Sequence, residues 1–120
     1  MNAPPETPAA PTVSTHVLDT SAGRPARDIP VRLSVRRAGD APWAEHAAAV
    51  TDADGRCAGL PALPPDTRHA LLRFEVEPYL ARAGAAFFPE VTVAFAVTAG
   101  EHHHVPLLLT PFGYTVYRGS

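Results

Sequence analysis

Only one cysteine, Cys57, occurs in the 120 residues. An internal disulfide is therefore impossible, and the fold has to hold by burial and hydrogen bonding; a reduced cytoplasm is the expected location. A basic stripe is also missing. With 10 Lys and Arg residues against 12 Asp and Glu, the net charge is -2, which argues against nucleic acid as the main partner. No apolar run approaches the roughly 20 residues that cross a bilayer, so no membrane partner is expected. The first residues contain neither Lys nor Arg nor the apolar stretch of a secretory signal. Absent too are the paired-cysteine and His-Glu-x-x-His spacings that mark zinc sites, so no metal is expected.

What is present suits one small domain. Hydrophobic residues make up 46% of a 12.7 kDa chain, enough for a core but small enough that a partner subunit would help. Residues 1–13 are set apart by composition, with prolines at positions 4, 5, 8 and 11, and are expected to form a disordered or polyproline-like lead-in. From residue 14 to 120, short apolar stretches alternate with Gly, Pro and Asp punctuation. That spacing predicts an all-β sandwich.

Residues 14–19 form the first expected strand, with His16 and Leu18 on one face, and residues 21–25 carry turn chemistry. Period-two alternation over residues 31–36 places Val31, Leu33 and Val35 inward. Residues 43–50 are ambiguous, because three alanines favour helix while Pro42 and Asp52 bound a strand-length segment; a strand is expected. Further strands are predicted over 69–77 and 90–98, separated by a short helix at 78–83 that ends at Gly84. Two final strands, joined by a turn, close the chain. In the first of them His102, His104, Pro106 and Leu108 share one face and His103, Val105, Leu107 and Leu109 the other, with Pro106 suggesting an edge or bulge.

Three groups could carry chemistry. His104 lies in a run of three histidines; Arg56 follows a turn, residues 51–56, in which Gly55 can adopt positive φ and two acids can cap amides; His16 lies on the first strand. Alternate histidines of one strand supply only two ligands, too few for a structural metal site. A neutral histidine can instead deprotonate water while a guanidinium stabilises the oxyanion of an attacked carbonyl. Taken singly, His16 also fits a half-buried structural histidine, Arg56 a solvated turn residue and Cys57 a small buried hydrophobe.

Several separated motifs carry a resemblance. Ser14-Thr15-His16-Val17-Leu18-Asp19, Thr51-Asp52-Ala53-Asp54-Gly55-Arg56, Phe87-Phe88-Pro89-Glu90-Val91, His102-His103-His104-Val105-Pro106-Leu107-Leu108-Leu109 and the terminal Tyr117-Arg118-Gly119-Ser120 resemble the 5-hydroxyisourate hydrolases of the transthyretin-like family. The closing tetrapeptide is the most specific of them, since it separates the hydrolases from transthyretins. The resemblance implies a transthyretin-like (prealbumin-like) β-sandwich of two four-stranded sheets with one short helix, assembled as a homotetramer with active sites where two dimers face each other. It further implies cofactor-free, metal-free hydrolysis of 5-hydroxyisourate to 2-oxo-4-hydroxy-4-carboxy-5-ureidoimidazoline in urate breakdown. By the same resemblance His16, Arg56 and His104 are the catalytic group, and His16, Arg56, Tyr117 and Ser120 contact the substrate. The family usually has an aromatic residue where this chain has His103. A transthyretin-type carrier that binds a small ligand without turning it over is the alternative, and fold alone does not separate the two.

Overall fold

Burial alternates residue by residue along β1 (Thr12–Asp19): Val13, Thr15, Val17 and Asp19 are buried and their neighbours half-buried. This is what a pleated strand with one face on a core produces. The structure is a computed structural model and describes residues 9–120. After β1 come β2 (Arg24–Pro25), β3 (Pro30–Arg36), β4 (Ala44–Val50), β5 (His69–Glu75), the helix α1 (Glu77–Arg82), β6 (Glu90–Ala96), β7 (His102–Thr110) and β8 (Gly113–Val116). They make two four-stranded sheets, ordered β2-β1-β7-β8 and β4-β3-β5-β6. Between the sheets lie Val17, Leu107 and Leu109 from one and Leu33, Leu72 and Phe74 from the other, each at most 1% exposed. Each such side chain stabilises the fold by about 1.5–3 kcal/mol.

The expected all-β sandwich with one short helix is therefore the observed architecture, and the differences have local causes. The lead-in expected over residues 1–13 falls, as far as residue 8, outside the described residues. From residue 9 the backbone is hydrogen-bonded into the sandwich: the Gly100 amide donates to the Ala9 carbonyl and the Leu63 amide to the Pro11 carbonyl, each at 2.9 Å. β1 accordingly starts at Thr12, two residues earlier than alternation alone indicated.

Within the expected turn, Arg24 and Pro25 pair with Asp19 and Leu18 as the edge strand β2, a position where a proline's missing donor costs nothing. The alanine-rich segment is strand, because pairing along β3 overrides alanine's helix preference. β5 stops at Glu75 and the helix claims Glu77, since Pro78 fits only the first helical turn.

Pro106 corrects a further expectation, for β7 is an interior strand. β8 pairs with β7 only as far as Val116 opposite Leu107. The proline lies one residue beyond, where a donor would be missing from the ladder.

Arg56 is followed at once by a core position. Cys57 is buried, and desolvation, with a smaller push from the Asp52 charge, raises its thiol to about 11. At pH 8 the folded protein is expected to react with a thiol-directed disulfide reagent far more slowly than the denatured chain. Equal rates would place the thiol at the surface.

Candidate active site

β1 and β7 run parallel, and their register sets Thr12 beside His102, Ser14 beside His104 and His16 beside Pro106. Paired residues share a face, so the outer surface of this strand pair carries His16, His102 and His104 with two hydroxyls between them. Their neighbours Val13, Thr15 and Val17 and His103, Val105 and Leu107 are buried on the other side. His103 is thus on the core face, as alternation predicted. Its Nε2 accepts from the Thr98 amide and its Nδ1 meets the Thr12 carbonyl, both at 3.1 Å. A neutral ring protonated at Nδ1 satisfies both bonds.

The turn before Arg56 works as its composition suggested. Asp52 Oδ1 accepts from the Asp54 amide at 2.9 Å and the Arg56 amide at 3.0 Å, while the Asp52 amide donates to the Arg56 carbonyl at 2.8 Å. The Arg56 amide is the main reason the Asp52 carboxyl titrates below its ordinary value; desolvation opposes this, and the Asp54 amide and the Arg56 charge add to it.

Gly55 has φ +75°, and a Cβ there would stand 2.3 Å from the Val17 carbonyl oxygen and 3.3 Å from His16 Cδ2. Only glycine permits that approach. It lets the Val17 amide reach the Gly55 carbonyl at 2.8 Å and closes an antiparallel bridge between His16 and Arg56. The loop is thereby fixed against β1 beside the histidine.

His104 is half-buried, with Nδ1 2.7 Å from Ser14 Oγ. Its pKa is lowered, first by desolvation and then by the charges of Arg56, His102 and His16. The ring therefore stays neutral to lower pH than a free imidazole. Three separate segments, β1, the loop at 51–56 and β7, are neighbours here through the His16–Arg56 bridge and the pairing of β1 with β7.

The chain end is drawn to the same place. The Gly119 amide donates to the His104 carbonyl at 2.8 Å in an antiparallel bridge, and a Cβ on Gly119 would lie 2.6 Å from His104 Cδ2. This bridge keeps the register of β7 and β8, interrupted opposite Pro106. Arg118 adds an exposed ion pair to Glu101 at 3.3 Å. Ser120 follows directly. Tyr117 is 51% exposed and lines a cavity of about 300 Å³ between the sheets, with Phe95, His103 and Val105.

Residues 13–119 match the HIUase/Transthyretin family. The chain belongs to that family. Among its relatives, the 5-hydroxyisourate hydrolase of Mus musculus is 42% identical over 113 residues, covering 90% of this chain and 94% of the mouse protein. The structure of Klebsiella pneumoniae 5-hydroxyisourate hydrolase superimposes with a TM-score of 0.75 at 38% identity, covering 91% of this chain and 99% of that one. Sea bream transthyretin in complex with thyroxine gives a TM-score of 0.78 at 26% identity, over 89% and 93% of the two chains. Within the HIUase/Transthyretin family the fold is thus shared by a hydrolase and a thyroxine-binding protein, and the side chains on this face have to distinguish the two.

Sequence reasoning singled out His16, Arg56 and His104, which lie on neighbouring segments of the structure, but passed over the hydroxyls of Ser14 and Thr12 and the bridge at Gly119. Period two already placed Ser14 on the face of His16. Its pairing with His104, 90 residues away, depends on parallel strand registration, which no local pattern encodes.

Proposed function

We propose that the chain is a 5-hydroxyisourate hydrolase, opening the six-membered ring at an amide bond to give 2-oxo-4-hydroxy-4-carboxy-5-ureidoimidazoline. The observation that carries this reading is the convergence of His16, Arg56 and the pKa-lowered His104 on one sheet face, with the chain end bridged onto His104. His104 Nδ1 is engaged by Ser14, which leaves Nε2 to take a proton from water. His16 holds the same water from the neighbouring strand. Arg56, always charged and planar, binds the anionic substrate and stabilises the oxyanion formed as hydroxide adds to the carbonyl carbon. Collapse of that adduct breaks the carbon–nitrogen bond, and the leaving nitrogen receives the proton. Ser120, next to the Gly119 bridge, bounds the substrate side of the site. No cofactor has a task in this sequence of steps.

The site is an open sheet surface in one chain, and we assign the missing wall to other subunits of a homotetramer. Several features support assembly. β6 and β8 are edge strands, Phe87 and Phe112 are 68% and 71% exposed, and half-buried Leu18 and Leu108 extend the active face. Pairing or covering such edges is the usual way to manage them. Sedimentation should give the mass of four chains. A cytoplasmic location suits a chain whose one thiol is buried. Among the described residues no helix is long and apolar enough to cross a membrane.

The deciding experiment follows the ultraviolet absorbance of freshly made 5-hydroxyisourate with and without the protein and with a chelator. Rapid, chelator-insensitive loss is expected; decay at the spontaneous rate would leave the carrier alternative in its place. In the same assay Arg56→Ala should lower kcat by about a hundred- to a thousandfold, the usual loss for an oxyanion-stabilising group, while the assembly stays intact by sedimentation. Full turnover in that variant would remove Arg56 from the mechanism.

A further inference from the structure

Ser14 Oγ lies 2.7 Å from His104 Nδ1 and 2.7 Å from His102 Nε2, and Thr12 Oγ1 lies 2.6 Å from His102 Nδ1. Thr12, His102, Ser14 and His104 therefore form one unbranched chain of hydrogen bonds across β1 and β7. Of the four ring nitrogens, only His104 Nε2 has no hydrogen-bond partner among the described residues. A hydroxyl has a single proton, so Ser14 can donate to one imidazole only while accepting from the other.

That constraint leaves two self-consistent polarities. In the first, His104 Nδ1–H donates to Ser14, Ser14 donates to His102 Nε2, and His102 Nδ1–H donates to Thr12. His104 Nε2 then carries a lone pair and can act as a base. In the second, every bond is reversed and His104 Nε2 carries a proton, the form required of an acid. The two halves of an amide hydrolysis need His104 in these two tautomers in turn. With a proton added from water, the bonds of Ser14 reverse while His102, now carrying both protons, keeps its bond to Thr12.

We propose that Ser14 is a proton relay between His104 and His102, switching His104 from base to acid within each turnover; this rests on the hydrolase reading above. As water gives its proton to His104 Nε2, the Nδ1 proton passes to Ser14 Oγ and the Ser14 proton to His102 Nε2. His102 becomes the imidazolium, and the hydroxide forms the new bond to the carbonyl carbon. When the carbon–nitrogen bond breaks, the leaving nitrogen takes the proton from His104 Nε2 and the chain runs backward. His102 ends neutral, and the net change is one water added across the amide.

The electrostatics give the relay a reason. The charged and titratable groups that act on His104 are Arg56 from the loop, His102 from its own strand and His16 from β1, and each disfavours a cation there. Sending the charge to His102, on the exposed end of the strand, removes it from the guanidinium while the oxyanion forms. Ser14 does not touch substrate in this scheme; it is a positioning and relay residue.

The test compares Ser14→Ala, Ser14→Thr and His102→Phe with the wild type. Against 5-hydroxyisourate, Ser14→Ala and His102→Phe should each lose kcat by about ten- to a hundredfold, at the lower end of what proton transfer supplies, with KM little changed. Ser14→Thr, which keeps the hydroxyl, should recover to within about threefold of wild type, and adding Ser14→Ala to His104→Ala should cost nothing further. Nitrogen NMR of the unliganded protein gives a readout independent of turnover: His104 should be protonated at Nδ1 in the wild type and shift toward Nε2 in Ser14→Ala.

Wild-type kcat in Ser14→Ala, or a threonine variant as slow as the alanine one, would overturn the relay alone. A wild-type protein that leaves 5-hydroxyisourate untouched would overturn the hydrolase reading and the relay with it.

Discussion

His104→Ala is expected to lower kcat by about a hundred- to ten-thousandfold, the range that positioned acid–base groups supply, with the fold and assembly retained. The side chain is half-buried on the outer face of β7 rather than in the core, so its removal opens no cavity between the sheets. Residual turnover would come from Arg56 and substrate orientation. The pH profile is a second signature. Desolvation, the Arg56 charge and the neighbouring imidazoles of His102 and His16 lower the His104 pKa, so the active base form persists below the ordinary value of about 6.5. The acidic limb of kcat/KM should therefore fall at a lower pH than for a free imidazole. Stability follows the same direction: the unfolded chain binds the proton more readily, so acidification below about 6.5 draws the equilibrium toward unfolding. A His104→Ala protein with near-normal turnover would remove His104 from the chemistry.

The second large effect is expected from Gly55→Ala. Its φ of +75° is strained for any side chain, and the new Cβ would meet the Val17 carbonyl oxygen at 2.3 Å, a backbone atom held in the bridge to β1. Backbone strain and overpacking together should cost roughly 3 kcal/mol, read as a fall in Tm of roughly 10 °C for a domain this size. Gly59 supplies the control, since its φ is +77° but a Cβ added there would have nothing within 4 Å. Gly59→Ala should lose only the conformational part, about 1 kcal/mol. Because the Gly55 approach also fixes Arg56 beside His16, Gly55→Ala should lower kcat as well, whereas Gly59→Ala should not. Equal losses of stability at the two positions would show that the close approach to Val17 does not matter.

Much of the fold was legible because its causes are local. Alternation over residues 31–36 and 90–96 marks strands whatever else the chain does, since a half-buried pleat accepts no other pattern; residues 97–98, which continue the pattern, fall just past the end of β6. The turn at 51–56 was equally open to reading, because an Asp two residues before an amide and a glycine at positive φ act within six residues. Where the expectation slipped, a distant partner had decided. Arg24 and Pro25 become a strand only because β1 lies beside them, and Thr12 and Val13 join β1 because β7 is there to pair with them. Pro106 signalled an interruption in pairing, but only the order of strands shows that it falls in an interior strand, opposite the gap between β8 and the Gly119 bridge.

The sequence by itself determined the all-β class, the core face of each strong strand, the aim of the Arg56 turn and the separation of His103 from His104, all consequences of period two and of glycine's freedom at positive φ. The terminal tetrapeptide and the other separated motifs also marked the family. Tertiary structure alone decided which residues meet: that β1 runs parallel to β7, that Ser14 thereby reaches two imidazoles, and that Gly119 closes on His104. Strand registration between segments some 90 residues apart is fixed by the packing of the whole core. No stretch of the chain carries it alone.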